Sequence, residues 1–399
     1  MIKQITTIVL LAATMQAQAQ DPGISSWIRN TTGATGYSGI PSNVQAVQYS
    51  AQYVYVSCTC IPGYSIGPWA GNPNIPANQN FVFKITRTPT RQTGAPTLVG
   101  LGHVGVWSNG VTIFNPKDAA SYNNAGVWHQ NAYFFEGSSF DNCLGHPAPN
   151  GEYHHHVNPK CLYNDADSTH HSPIIGYAFD GFPVYGAYAH ANVDGTGSIR
   201  RMTSSYALTT TTTRLNGPAV NAIFPAGAYC EDYTYTNGYG NLDEHNGRFC
   251  ITPEYPSGIY AYFVTIDANR NPVYPFVLGD TYYGQITPGN TGPGSGHNTI
   301  SEPTTTYTGS TAVGTLSKMA FSLVPNPVTS FATIYFDPSS PNNISATLVN
   351  AHGQVLKTYQ YMQPSISYTI DCSELPTGIY YLHLKAGDET MHQKILVLR

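Results

Sequence analysis

Glycine and proline interrupt this chain at short intervals and restrict it to short extended segments. The 399 residues include 38 glycines and 29 prolines, and both residue types are poorly tolerated inside helices. Between them lie runs in which apolar and polar residues alternate, such as QAVQYSAQYVYVSC, NFVFKIT and GIYAYFVTI. A period of two is typical of strands, and no long run has the 3.6-residue period of a helix. The sequence therefore predicts a mainly β fold with few helices.

The composition favours an exported protein and argues against a nucleic-acid partner. Charged residues make up 10% of the chain, against about a quarter in an average globular protein. The 30 tyrosines supply polar hydroxyl groups in place of charge. The formal net charge is −5 and no basic stripe is visible, so the sequence predicts no binding to nucleic acid.

The first residues have the features of a secretory signal peptide. Lys3 provides a positive start, an apolar run follows from Ile5 to Met15, and Ala17-Gln18-Ala19 resembles a cleavage site. We therefore assign residues 1–19 to a signal peptide. No other apolar run is long enough to cross a bilayer, so we do not expect a transmembrane protein.

The seven cysteines are expected to meet an oxidising compartment after export. Cys143 and Cys161 flank a histidine-rich segment, and Cys230 and Cys250 flank an acidic one. Pairing within each of these two sets is one prediction. Crosswise pairing with the remaining cysteines stays open, because connectivity does not follow from spacing alone.

Composition divides the chain into four parts. Strand-like runs broken by turn residues extend over residues 20–286. In this part the segment PIIGYAFDGFPVYG predicts a hairpin that turns at Asp180-Gly181. Residues 287–319 are rich in glycine, serine, threonine and proline, which predicts a mobile linker. In residues 320–399 apolar and polar residues alternate regularly again, which predicts a small β-sandwich.

Four ordered motifs in the last part resemble a known export signal. LVPNPV, NAHGQVL, LPTGIYYLHL and KILVLR are similar to the type A C-terminal sorting domain of the type IX secretion system. The resemblance implies a Bacteroidota-type host, export across the outer membrane, and removal or surface anchoring of this domain. It also implies the type IX secretion machinery as a partner.

The segment GEYHHHV contains the most specific chemical signal in the chain. On a strand, His154 and His156 share one face, whereas Tyr153 and His155 share the other. Two imidazoles on one face are suited to bind a transition metal, but a zinc or copper site needs three or four ligands. His146 and His171 are the nearest further candidates.

Carboxylates are the other candidates for this site. Asp243 is a candidate ligand, and Glu244 beside it is a candidate general base. Both equally suit a solvated loop. Asp180 is a second catalytic candidate, although a role in the predicted hairpin turn explains it as well.

A second set of motifs resembles a family of secreted proteins. PNGEYHHHVNP, HSPIIGYAFDGFPVYG, LDEHNGR and TPEYPSGIYAYFVT are similar to the YHYH-domain family. The Tyr-His-Tyr-His motif falls on Tyr153, His154, His155 and His156. This chain departs from it at the third place, on the face opposite the paired histidines. The resemblance implies no particular reaction or substrate.

Two classes of function remain open from the sequence. The first is a divalent transition metal, zinc or copper, bound by the histidines, either alone or in a metal-dependent hydrolase or oxidoreductase. The second is a surface module without catalysis that binds polysaccharide or another protein, since many tyrosines are suited to stack against sugars.

Overall fold

The computed structural model describes residues 21–210, 212–292, 294–309, 321–336, 344–350, 353–361, 367–386 and 389–399. These residues form two compact units that divide between Gly309 and Ser310. The fold is mainly β, as predicted. The predicted signal peptide, residues 1–19, lies outside the described residues.

The described residues of the first unit form eighteen strands and several single-turn helices. The strands are β1 Val44–Tyr49, β2 Tyr53–Cys58, β3 Phe81–Thr86, β4 His103–Trp107, β5 Thr112–Phe114, β6 Lys117–Ser121, β7 His129–Asn131, β8 His146–Pro147, β9 Tyr153–His155, β10 Ile174–Ala178, β11 Pro183–Tyr185, β12 Tyr188–His190, β13 Ile199–Arg201, β14 Tyr206–Leu208, β15 Tyr233–Tyr235, β16 Gly247–Cys250, β17 Ile259–Phe263 and β18 Thr305–Thr306. The helices are α1 Pro22–Ser25, α2 Ala132–Phe135 and the 3₁₀ turns Tyr37–Gly39, Tyr122–Asn124, Gly137–Ser139 and Cys230–Asp232.

An eight-stranded mixed sheet forms the centre of this unit, in the order β16-β17-β11-β10-β4-β5-β9-β8. It is buried on both faces, because alternate residues of its strands enter two different hydrophobic cores. On β17, for example, Tyr260 and Tyr262 pack into one core and Ala261 and Phe263 into the other. A second sheet, in the order β18-β1-β2-β3, contributes its apolar residues to the core that contains Phe263.

The histidine motif lies at one edge of the central sheet. Strand β9 pairs in parallel with β5, where Thr112 lies opposite His154. On its other side β9 pairs with the short edge strand β8, where His146 lies directly opposite His154. This register brings His146 to the histidine pair.

The predicted hairpin forms at the expected place. Strands β10 and β11 pair antiparallel, and Gly181 between them has a positive φ of 88°. Because Pro183 has no backbone N–H, the sequence predicts an edge strand or a short one. Strand β11 is short, at three residues, but it lies inside the sheet, where β17 pairs with it in parallel.

Most of the predicted linker is part of the first unit. Asn290 is fully buried, its side chain accepts a hydrogen bond from Lys84 N and donates one to Lys84 O, and β18 pairs with β1. The boundary therefore moves from residue 287 to residue 310, because polar residues that anchor to backbone groups resemble linker residues in composition. Residues 310–319 lie outside the described residues.

One of the two proposed disulfides forms. Cys143 and Cys161 are bonded. Cys230 and Cys250 are both buried as free thiols, and the prediction that they pair is wrong. They pack into different cores on opposite faces of the central sheet, so neither can reach the other.

The second unit consists of antiparallel strands. They are β19 Phe321–Val324, β20 Phe331–Phe336, β21 Ile344–Asn350, β22 Val355–Tyr361, β23 Ser367–Asp371, β24 Gly378–Ala386 and β25 Glu389–Val397. They form one sheet in the order β19-β20-β23 and another in the order β22-β21-β24-β25. Both sheets contribute to one hydrophobic core.

No helix in the described part of the chain is long and apolar enough to span a membrane.

Candidate metal centre

Alternation along β9 places two imidazoles side by side. The Nε2 atoms of His154 and His156 lie 3.1 Å apart, although His156 is one residue beyond the end of the strand. On the opposite face, the rings of Tyr153 and His155 lie 5.2 Å apart. The extended backbone therefore separates the four residues into two pairs, as the sequence predicted.

His146 completes a cluster of three buried histidines. Its ring centroid lies 4.6 Å from that of His154, across the β8–β9 pair. One ring nitrogen from each of His146, His154 and His156 can be chosen so that all three atoms lie within 4.8 Å of one another. Each of the three residues is at most 4% exposed.

Hydrogen bonds to backbone carbonyls set the tautomers of the His154 and His156 rings. His154 Nδ1 lies 3.1 Å from the Glu152 carbonyl oxygen, and His156 Nδ1 lies 2.6 Å from the Asn115 carbonyl oxygen. Because a carbonyl oxygen only accepts hydrogen bonds, each Nδ1 carries the proton. In the neutral form of such a ring, Nε2 carries a lone pair.

His146 is oriented in the same way. Its Nδ1 lies 2.8 Å from Ser139 Oγ, and that hydroxyl donates its proton to the Glu136 carbonyl oxygen. The Ser139 oxygen thus accepts from His146 Nδ1. His146 Nε2 is buried and has no hydrogen-bond partner among the described residues, so its lone pair is available to a ligand.

Burial keeps the rings of His154 and His146 neutral. It lowers the pKa of His154 well below the usual value, and the charges of His146 and His156 lower it further. Burial also lowers the pKa of His146 to about 4; a charge on His156 adds to this effect, and the Glu136 carboxylate opposes it. Neutral imidazole is the form that binds metals, so the two rings are ready to act as ligands near neutral pH.

Glu136 brings a carboxylate to the cluster. It follows α2, and its Oε2 lies 3.3 Å from His156 Nε2 and 3.8 Å from His146 Nε2. Burial alone would raise the pKa of Glu136, but the hydrogen bond with His156 and the charges of His156 and His146 lower it overall. The group is therefore an anion beside three imidazoles.

The cluster opens into a cleft with a volume of about 970 Å³. Its walls include Phe114, Phe135 and Lys117, together with the three histidines and Glu136. The Phe114 ring stacks on His154 with ring centroids 3.8 Å apart. This packing restricts rotation of the ligand ring and leaves its Nε2 edge toward the other donors.

A second buried histidine–carboxylate pair adjoins the cluster. His103 Nδ1 lies 2.9 Å from Glu152 Oε1, and both side chains are almost fully buried. Glu152 also lines the cleft. Because the carbonyl of Glu152 accepts from His154, this pair helps to hold a candidate ligand in position.

The structure places His171 away from this cluster. Its ring lies against Tyr185, His190 and Phe263, at centroid distances of 5.1, 5.8 and 6.2 Å. Its Nδ1 bonds to the Ser172 carbonyl oxygen. Sequence proximity suggested a ligand, but β10 carries the chain away from β9 immediately after this residue.

The carboxylates proposed from sequence also lie elsewhere. Asp243 Oδ1 accepts hydrogen bonds from Tyr260 OH and from two backbone N–H groups of its own turn, so its contacts are those of a turn residue. The side chain of Glu244 is 55% exposed, and its carboxylate lies 3.7 Å from His245 Nε2. Neither carboxylate lines the cleft.

Asp180 is fully buried in the β10–β11 turn. Its side chain accepts hydrogen bonds from Phe182 N, Gly284 N and Tyr262 OH. Burial raises its pKa to about 6, although these hydrogen bonds oppose the shift. The contacts support the alternative that the sequence left open, a structural role in the turn.

Sequence reasoning missed Glu136 and Glu152. Glu152 is two residues before His154, so the alternation that paired His154 with His156 also predicts a third polar residue on that face. Glu136 gave no comparable signal. It lies in a different segment, and only the folded chain brings it to the histidines.

Two family models match the chain. Residues 82–274 match the model described as YHYH protein, and residues 322–398 match the model of the secretion system C-terminal sorting domain. The chain is a YHYH-domain protein with a C-terminal sorting domain. Its YHYH domain contains all three clustered histidines. The sorting domain makes it a protein secreted through the type IX system and attached to the outer surface, and implies an interaction with that machinery.

Comparisons with individual proteins add little. No curated protein matches the chain. Among solved structures, dimeric latent PorU from Porphyromonas gingivalis matches at 20% identity over 20% of this chain and 9% of that chain, with a TM-score of 0.16. PorZ, a surface component of the type IX secretion system of the same organism, matches at 11% identity over 90% of this chain and 51% of that chain, with a TM-score of 0.18. Neither TM-score supports a shared fold.

Proposed function

We propose that the YHYH domain binds a divalent transition metal, zinc or copper, through His146, His154 and His156. Glu136 is the nearest carboxylate to this set. The observation that carries the proposal is the convergence of three buried histidines, each of which offers one ring nitrogen within 4.8 Å of the other two. The Glu136 carboxylate lies beside them, 3.3 Å from His156 Nε2.

A bound cation would be favourable in such a cluster. The Nε2 atoms of His154 and His156 approach to 3.1 Å, and Glu136 Oε2 lies 3.3 Å from His156 Nε2. A metal bound between these atoms would interact with all of them at once. Burial and the neighbouring rings lower the pKa of His154, so its Nε2 lone pair is free to bind a metal.

The distances are also compatible with shared coordination. With metal–ligand bonds of about 2.0–2.2 Å, neighbouring donors in a tetrahedral site are roughly 3.3–3.6 Å apart. The two closest pairs of donors here, at 3.1 and 3.3 Å, are near that range. Ligand rings held by hydrogen bonds from Nδ1 are the usual arrangement around such metals.

The cleft favours a site that also meets substrate. Catalytic zinc sites combine three protein ligands with a position open to water, whereas structural sites are closed. Three histidines at the wall of a cleft match the first type. A bound zinc would activate water for hydrolysis, and copper would supply redox chemistry; Glu136 is placed to accept a proton from a group bound there.

Metal analysis of the purified mature protein tests the proposal. We expect about one equivalent of zinc or copper in the wild type and almost none in the His154→Ala plus His156→Ala variant, because too few ligands remain. Glu136→Gln should retain metal but bind it more weakly, by roughly tenfold, since it keeps the shape and loses the charge.

The matched control is His170→Ala plus His190→Ala, which removes two histidines outside the cluster and should leave the metal content unchanged. Circular dichroism verifies that each variant is folded. A wild type without metal that cannot be loaded by zinc or copper contradicts the proposal. If that protein is instead retained on polysaccharide, the surface-binding alternative replaces it.

A further inference from the structure

The three candidate ligands lie inside one disulfide-closed loop. Cys143 and Cys161 are bonded across a sequence separation of 18 residues. His146 is the third residue after Cys143, and His156 is the fifth residue before Cys161. His154 lies between them, so closing this bond constrains the whole segment that carries the cluster.

One end of the loop is tied to the central sheet through Asp141. Its carboxylate accepts hydrogen bonds from Cys143 N at 2.8 Å and Gly145 N at 3.2 Å. It also accepts one from the hydroxyl of Tyr153 on β9, at 2.9 Å. Cys143 is therefore part of a turn that is fixed against the strand of His154.

The other end of the loop has no strand pairing. Strand β9 ends at His155, and no strand includes residues 156–161. The His156 ring bonds to the Asn115 carbonyl oxygen and Val157 is buried in the core, but the side chain of Asn158 bonds to groups farther along the chain, Asp165 Oδ2 and Tyr163 OH. The disulfide therefore connects the segment that follows His156 covalently to the turn that is fixed to β9.

Cys161 lies at a cleft separate from the metal cleft. Cys143 is buried, whereas Cys161 is partly exposed and lines this second cleft of about 410 Å³ together with Asn142 and Lys160. Thiol–disulfide exchange depends on access to the bond, so we expect a disulfide oxidant or reductant to approach from the side of Cys161.

We propose that formation of the Cys143–Cys161 disulfide converts the histidine cluster from a weak to a tight metal site, so that the site matures only after export. This inference rests on the proposed function. In the maturing step, a disulfide oxidant accepts two electrons and two protons from the two thiols. The oxidant leaves as a dithiol, and the Cys143–Cys161 bond forms.

The physical reason is the entropy of the loop. Without the bond, residues 156–161 have more conformations before metal binding, and the metal must order them. A disulfide that closes a loop removes conformational entropy from the open chain. Only part of that is expected at the site, because β8 and β9 still hold His146 and His154. We therefore expect metal affinity to fall at least about tenfold.

The coupling between disulfide formation and metal binding is reciprocal, so the stability of the disulfide can be measured as well as the affinity for the metal. If the disulfide favours metal binding, the metal must favour the disulfide by the same factor. Bound zinc is therefore expected to protect the bond from reduction. A disulfide that merely stabilised the fold far from the metal would not show this protection.

The test measures zinc affinity on the full chain by competition with a chromophoric chelator. The oxidised wild type is compared with the Cys143→Ala plus Cys161→Ala variant, which also removes the thiols as alternative ligands. Cys250→Ala removes a free buried thiol outside the loop and is the matched control. Circular dichroism confirms folding of each protein.

The second measurement needs no variant. The wild-type protein is equilibrated with reduced and oxidised glutathione, so that two glutathione thiols become one glutathione disulfide for each protein disulfide that is reduced to two thiols. The fraction of protein that keeps the disulfide is measured with and without zinc. We expect at least about tenfold weaker zinc binding in the double variant, unchanged binding in the control, and a larger disulfide fraction at equilibrium when zinc is present.

The outcomes separate the two proposals. If the oxidised wild type binds zinc but the double variant binds it equally well and zinc does not raise the disulfide fraction at equilibrium, the coupling is overturned and the metal site stands. If the double variant does not fold, the redox equilibrium alone decides. If the oxidised wild type binds no metal, the proposed function fails and the coupling fails with it.

Discussion

Single residues at this site act through the orientation of their ring nitrogens. Glu152 and Asn115 provide carbonyl acceptors, and Ser139 provides a hydroxyl acceptor, so every Nδ1 of the cluster is occupied. Nε2 is therefore the ring nitrogen that His146, His154 and His156 can offer to a metal. The groups that accept hydrogen bonds from Nδ1 thus determine which atom of each ring faces the site.

Asp180 shows a different role for a buried polar residue, and it carries a pH prediction. Its pKa is about 6 in the folded chain because of burial, against about 4 when unfolded. The folded state thus holds the proton more tightly, and the contribution of Asp180 to the free energy of unfolding falls as pH rises from about 4 to 6. The expected fall is roughly 3 kcal/mol.

Urea unfolding of wild type and Asp180→Asn at several pH values between about 4 and 7 measures this. As pH rises, the free energy of unfolding of the wild type should fall relative to that of the variant, because asparagine does not titrate. The titratable neighbours are Tyr260, Tyr262 and Tyr282, which are buried and neutral throughout. A difference that does not vary with pH would contradict the expected titration.

At the scale of elements, the β8–β9 pair positions the cluster. Two residues on each strand are enough to place His146 opposite His154. Gly145 precedes β8 where the chains are closely packed, since a Cβ at this position would lie 2.4 Å from Tyr153 OH and 2.9 Å from the His154 carbonyl oxygen. The approach of the two strands therefore depends on the absence of a side chain.

Gly145→Ala tests this dependence. We expect a loss of about 1–3 kcal/mol in the free energy of unfolding, because the added methyl group must push the strands apart, together with weaker metal binding. Gly94→Ala is the matched control, since a Cβ there meets no atom within 4 Å. Urea denaturation and zinc titration measure both effects. Equal stability of the two variants would show that the strand pair adapts.

At the scale of the whole molecule, the first unit needs residues beyond the predicted linker boundary. A chain that ends at Gly309 retains β18 and the bonds between Asn290 and Lys84. A chain that ends at Ile286 loses both. Because each unsatisfied buried polar group costs about 1–3 kcal/mol, we expect the shorter chain to be less stable by more than about 2 kcal/mol.

Thermal unfolding of the two truncated chains measures the difference in stability. The chain that ends at Gly309 is the control, because both chains lack the second unit. It should unfold at the temperature of the first unit in the intact protein and retain its metal. Equal melting temperatures for the two truncated chains would restore the boundary predicted from composition.

The sequence alone was enough for everything that depends on neighbouring residues. Alternation predicted the strands and the shared face of His154 and His156, and turn chemistry predicted the hairpin at Asp180-Gly181. Ordered motifs predicted both the YHYH domain and the sorting domain. These features are local, because side-chain direction and turn preference are set within a few residues.

The tertiary structure decided which distant residues meet. It brought Glu136 to the histidines, placed His171 in another part of the unit, and separated Cys230 from Cys250 by the thickness of a sheet. None of this is encoded in spacing, because strand order and the two-sided burial of the central sheet determine which side chains share a space. The pairing of His154 and His156 could be predicted from one strand, whereas the complete set of donors depended on the fold.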